Sequence, residues 1–285
     1  MNKSKLIATS ALATVMSASA AYAELSLSGA YVGNVSSGDG STGVSQALST
    51  SSVYVTYSST LDNGMGMSAG FSITGAAMSF SVAVDTGMGS ISTGDSFSGA
   101  VDSSDSMKAG ATAITSNTAL AANYNDGDAL HGSGVMYTSP SMNGWSVKAS
   151  VGESNSNANR VQAFAVNGAV MGVAVSAGQV SQATAAEGDD NFITLGYSVA
   201  GVDLGYGQYD SDGAGESTVI GANYSVAGLN LGYTFEDHSP ASGADTDQTR
   251  YNVGKDLGGI GLTLQYSEGS ASDSSNWNLL YSVGF

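Results

Sequence analysis

From Leu25 to Val283 the chain repeats one pattern over short segments: a large apolar side chain at every second position, with Ser, Gly, Thr, Asn or Gln between. Successive side chains of a strand point to opposite faces of its sheet, so each segment presents one greasy face and one small polar face. Both faces restrict the fold. The polar parity, as in Ser68, Ser72, Asn223, Asn230, Thr263 and Gln265, cannot build a dry core. Turning the apolar parity inward, as in a soluble sandwich, would leave an outer face almost without charge and prone to association. Hydrocarbon outside and water inside suits both faces, and in hydrocarbon a sheet must close so that no edge stays unpaired. The pattern predicts an all-β fold, a transmembrane antiparallel β-barrel.

Charge agrees with this reading. Charged residues are 11% of the chain, against about 25% in a soluble domain, and most fall between the periodic segments. The 39 Gly and 2 Pro suit strands joined by tight turns. At the N-terminus Lys3 and Lys5 precede an apolar run from Leu6 to Val15, followed by Ala21-Tyr22-Ala23. That is the order of a cleaved secretory signal peptide. We therefore divide the chain into residues 1–23, removed on export, and a single barrel domain over 24–285. Of the 7 basic residues, loss of Lys3 and Lys5 leaves five, against 24 acidic ones, for a net charge of −19. Such a chain would be repelled by phosphate backbones, which argues against nucleic acid as a partner.

The periodic segments number about 16, an even count that returns both ends of the chain to one side of a membrane. Short connections are read at Asp62-Asn63-Gly64, Asn167-Gly168, Ala200-Gly201, Ala227-Gly228 and Gly258-Gly259. Longer, acidic ones are read at Asn34–Leu48, Gln179–Asp190, Asp210–Glu216, Glu236–Asp247 and Glu268–Ser274. This alternation is that of periplasmic turns and extracellular loops. The stretch from Gly94 to Leu130, after the fifth segment, loses the rhythm altogether. The last segment sets Trp277, Leu279, Tyr281, Val283 and Phe285 on one face and is expected to pair with Glu24–Gly33, leaving Leu280 as the odd apolar residue on the lumen side.

Few residues offer chemistry. The absence of Cys excludes disulfides and thiolate sites. His131 and His238 both lie in stretches read as rim or loop, and His238-Ser239 adjacency says little where Ser is so abundant. Asp210, Asp212 and Glu216 in a Gly-rich turn form a candidate calcium loop, with carboxylates suited to a hard cation but without full EF-hand spacing. A solvated loop is the simpler reading, so no cofactor is expected beyond loosely held Ca²⁺ at acidic loops.

Several of these motifs together resemble the general bacterial porins, particularly the alphaproteobacterial type: the first mature strand Glu24-Leu-Ser-Leu-Ser-Gly, the turn Leu61-Asp-Asn-Gly, the run Tyr137-Thr-Ser-Pro-Ser-Met-Asn-Gly-Trp145, and the terminal Phe285. The resemblance implies a 16-stranded, water-filled outer-membrane barrel, usually a homotrimer, with the third extracellular loop folded inward as a constriction. It places that loop at Gly94–Leu130, bringing Asp95, Asp102, Asp105, Asp126 and Asp128, with Lys108 as its one base. It also makes the terminal strand a signal for the barrel-assembly machinery, with membrane lipids and lipopolysaccharide as surroundings. The basic wall such porins set against the loop is thin here. Only Lys148, Arg160, Arg250 and Lys255 remain; Lys148 and Arg250 have lumen parity, Arg160 is ambiguous, and Lys255 looks interfacial. Lys148, Arg160 and Arg250 are the pore-wall candidates. The short connection at Gly75-Ala76-Ala77 departs from the family's longer latch between subunits.

The expected function is a non-enzymatic channel for passive diffusion of small hydrophilic solutes, preferring cations because of the acidic excess. A channel selective for one nutrient is the alternative, and a barrel hydrolase or a structural, adhesive barrel a more distant one.

Overall fold

The computed structural model describes residues 24–38, 44–74, 77–95, 100, 133–153, 160–182, 189–212, 215–270 and 274–284. Across them run sixteen strands: β1 Glu24–Gly38, β2 Ser45–Thr60, β3 Gly66–Thr74, β4 Ala77–Asp85, β5 Ser90–Gly94, β6 Gly134–Thr138, β7 Ser146–Glu153, β8 Arg160–Val170, β9 Val173–Gln182, β10 Asp189–Val199, β11 Val202–Ser211, β12 Gly215–Val226, β13 Leu229–Pro240, β14 Thr246–Asp256, β15 Ile260–Gly269 and β16 Ser274–Gly284. Each pairs antiparallel with its sequence neighbours, and β1 pairs with β16 to close the barrel. Closure removes every edge, which is the condition for crossing a membrane with strands. Residues 1–23, Asp102, Asp105, Lys108, Asp126, Asp128, His131 and Phe285 lie outside the described residues.

The short connections are built by residues that accept positive φ. Met171-Gly172, Ala200-Gly201 and Ala227-Gly228 have φ of 52° and 84°, 50° and 81°, and 51° and 75°, the conformation of two-residue hairpins whose twist matches the strands they join. One expected turn is misplaced. The chain runs straight through Asn167-Gly168 inside β8 and turns at Met171-Gly172. Gly168 serves packing instead, since a Cβ there would stand 2.2 Å from Cδ2 of Trp145. The long connections are also shorter than expected: β11 ends at Ser211 and β12 begins at Gly215, while β13 extends to Pro240.

The outer face carries the apolar parity, exposing Leu27, Phe80, Phe164, Ile220, Leu264 and Leu279 among others. Tyr233, Tyr251, Tyr266 and Trp277 form a row across β13–β16, with ring centroids 5.5, 6.3 and 4.7 Å apart in that order. Tyr31, Tyr197 and Tyr206 are outward and exposed, whereas Tyr57, expected in the same girdle, is buried.

Two expectations need correction. β16 pairs with the second half of β1, from Ala30↔Gly284 to Gly38↔Asn276, and Glu24–Gly29 pairs with β2 alone. The offset reflects the stagger that tilted strands need to close a barrel. The inner face is also not uniformly polar. Val161, Val180, Phe192, Tyr209 and Val219, on adjacent strands from β8 to β12, cluster on the lumen side with Ala163, Ala165 and Ala100. Leu280 shares this face and is 5% exposed, in register with Asn34 and Thr263.

Candidate functional site

The lumen wall has two unlike sectors. On β1–β4 the inward parity is Ser26, Ser28, Tyr54, Thr56, Ser58, Ser68 and Ser81, all exposed to the lumen. Hydroxyls pair across the strands in this sector, Ser26 with Thr56 at 2.8 Å, Ser52 with Thr74 at 2.9 Å and Ser72 with Ser79 at 2.6 Å. Each hydroxyl both donates and accepts, so such a row satisfies itself and still faces water. Strands β1–β6 contain no Lys or Arg. A conducting path along this sector meets a hydrogen-bonding wall whose charged strand residues, Glu24 and Asp85, are acids on the same inward parity as Ser26 and Ser81.

The sector from β8 to β14 is packed. Besides the apolar cluster it buries Asp190, Thr194, Ser217, Thr234, Glu236, His238, Arg250 and Asn252. Ala100, beyond the end of β5, is fully buried here, and its amide donates to Oγ of Ser150 on β7 at 2.9 Å. Ala100 thus lies on the lumen side of β7.

The wall candidates separate. Lys148 faces the lumen from β7, in register with Thr138 and Ala165. Arg250 also faces inward but is 4% exposed, with Nη2 3.9 Å from Oε2 of Glu236 and donating to Oε1 of Gln248. Arg160 does not join them. It has the outer parity of Phe164 and is exposed, in register with Glu153 on β7. Its strand misled parity reading because Val161, Ala163 and Ala165 turn inward to the cluster, so both parities are apolar. Lys255 has the outer parity of Tyr251 and Val253, as an interfacial residue should.

Asp95 accepts from the Phe80 amide at 2.6 Å. Asp210 and Glu216 face outward as a cross-strand pair at the loop end, and Asp212 accepts from the Asp189 amide at 3.1 Å. Among the described residues no group of three or more His, Cys, Asp or Glu is arranged to hold a metal ion. His238 is not in a loop. It sits on β13, faces the lumen and is 7% exposed, with Nδ1 2.8 Å from Oγ of Ser217 and 3.1 Å from the Glu216 carbonyl. Ser217 is itself 2% exposed, so this Ser–His contact offers no reachable nucleophile. Sequence reasoning missed the buried set because its strand was expected to end near Glu236.

At the loop end the described acids Asp95, Glu153, Asp189, Asp210, Asp212, Glu216, Asp237, Asp245, Asp247 and Glu268 stand against Arg160 as the one described Lys or Arg. The potential there is negative.

The family model of the Gram-negative porins matches residues 8–284. No curated protein matches the sequence. Among solved structures, an engineered porin of Rhodopseudomonas blastica superposes with a TM-score of 0.67 at 12% identity, covering 92% of this chain and 100% of that one. A loop-deletion variant of OmpT, an outer membrane protein of Vibrio cholerae, gives 0.68 at 17% identity over 92% and 99%.

Proposed function

The chain belongs to the Gram-negative porins, and on that basis we propose that it is a passive, cation-preferring diffusion pore of the outer membrane. Family membership supports a channel in that membrane rather than an enzyme. The observation that carries the finer reading is the charge asymmetry of the lumen. The accessible sector is free of Lys and Arg and carries Glu24 and Asp85, the basic side chain of Arg250 is buried beside Glu236, and the loop end is acidic. A permeating anion meets no exposed cation on that wall, while a cation is concentrated at the mouth.

The segment from Gly94 to Leu130 is part of this proposal. The bond of Ala100 to the lumen-facing Ser150 supports an inward fold of this segment, which would bring Asp102, Asp105, Lys108, Asp126 and Asp128 into the channel, adding acids to the constriction. Assembly as a homotrimer, insertion by the barrel-assembly machinery through the terminal strand, and contact with lipopolysaccharide belong to the same reading. The test is conductance of the purified protein in planar bilayers, with the zero-current potential across a salt gradient. A potential of cation-selective sign is expected. An anion-selective sign overturns the selectivity, and absence of conductance overturns the pore.

A further inference from the structure

Near the short-turn end of the lumen, the wall of β11–β15 holds a recess of about 390 Å³, within the roughly 300–1,000 Å³ common for small-molecule sites. Its floor is low because Gly254 and Gly261 carry no side chain, and its walls are the amides of Asn223, Asn230 and Asn252 with the hydroxyls of Ser225 and Thr263. The glycine at 232 makes room for one of these amides, since a Cβ there would lie 2.1 Å from Oδ1 of Asn252. Asn252 is 5% exposed, and its Oδ1 has no hydrogen-bond partner among the described residues. A buried amide oxygen left unsatisfied carries a desolvation cost that a bound donor would remove.

We propose that this recess binds a neutral polyhydroxylated solute, a sugar or polyol, as it passes through the channel. The inference rests on the channel reading above and names a solute class for it. Amides and hydroxyls each donate and accept, which matches a ligand whose own groups do both. Asp203 and Asp256 also line the recess and outnumber its one cation, Lys255, so its net charge disfavours anions. Both carboxylates are also engaged locally: Asp203 accepts from Ser198 Oγ at 2.5 Å, and Asp256 from the Gly258 and Gly259 amides at 2.7 and 3.0 Å. Both carboxylates are thus satisfied by the protein's own groups, and Lys255 has the outer parity, which leaves the amides and hydroxyls as the uncharged lumen-parity groups of the recess.

The test titrates glucose against ion current through the reconstituted protein. A polyethylene glycol of matching size, whose ether oxygens only accept, is the steric control, and 1,4-diaminobutane is the cationic one. Glucose should reduce the current saturably, beyond the glycol's proportional effect. Relative to each variant's own sugar-free current, Asn252→Ala and the near-isosteric Thr263→Val should raise the half-blocking concentration, by about tenfold for Asn252→Ala. A glucose effect equal to the glycol's overturns the proposal, as does saturable block by the diamine with glucose inert. If the protein carries no current, the channel reading fails separately. Calorimetry on detergent-solubilised protein then decides the recess, with saturating heat supporting it and no heat overturning it.

Discussion

Arg250 and Lys148 have the same lumen parity and opposite fates. Arg250 is 4% exposed and stands beside Glu236, whose side chain is 3% exposed. Removing one partner of a buried ion pair leaves the other charge in a low-dielectric site, which costs more than the pair itself contributes. Arg250→Leu should therefore lower stability by about 3 kcal/mol, the lower end of the usual range because the ions are 3.9 Å apart. The double change Arg250→Leu with Glu236→Gln should recover most of that loss, read as urea midpoints in lipid vesicles. Lys148 is only partly buried on β7, and its charge acts on permeating ions instead. Lys148→Glu should move the zero-current potential further toward cation preference, and an unchanged potential would argue that its charge does not reach the conducting path. Both lumen placements were legible from sequence because Val147 and Val151, or Tyr251 and Val253, fix the outer parity. Arg160 was not, because the inward apolar cluster makes its strand greasy on both faces. Parity alone cannot assign a strand whose inner neighbours are packed rather than wetted.

At the scale of the element, β16 shows how position along a strand decides the cost of a charge. Leu279 and Leu280 are neighbours in sequence, yet Leu279 is 39% exposed on the outer face and Leu280 5% exposed on the inner one. An arginine on the lipid face near mid-membrane costs about 2–4 kcal/mol, falling toward the interfaces. Leu279→Arg should destabilise the barrel by about that amount, whereas Ser282→Arg on the lumen parity should leave stability nearly unchanged and show its effect in selectivity. Equal losses for the two would contradict the facing assigned to β16. The hairpins were largely readable in advance, since Ala200-Gly201 and Ala227-Gly228 each place a glycine where φ must be positive. Asn167-Gly168 offered the same dipeptide signal and proved false, because the close approach of the Trp145 ring explains that glycine equally well. A turn signal and a packing signal are the same letter in the sequence, and only the neighbouring strand separates them. The pairing offset of β1 and β16 was likewise hidden, because stagger belongs to the closed sheet and not to any one strand.

The whole molecule separates its charges in space, and that separation can be measured. The exposed lumen wall of β1–β4 is a hydroxyl surface with Glu24 and Asp85 at its short-turn end, and a larger group of described acids gathers at the loop end around Asp189, Asp210, Asp212 and Glu216. Charges at a mouth act on ions through solvent, and this action fades beyond a Debye length of about 10 Å at 0.1 M salt and about 3 Å at 1 M. Charges lining a narrow, partly desolvated constriction are screened much less. If the rim supplies most of the cation preference, the zero-current potential for a fixed salt ratio should shrink strongly when the same ratio is set at molar rather than decimolar ionic strength. If instead the acids between Gly94 and Leu130 dominate, the potential should hold nearly constant across that range. Neutralising Asp210, Asp212 and Glu216 together to amides gives the complementary reading. The low-salt potential should fall toward its high-salt value while conductance at high salt stays the same, because the substitutions alter the field at the mouth and leave the hydroxyl wall as it was.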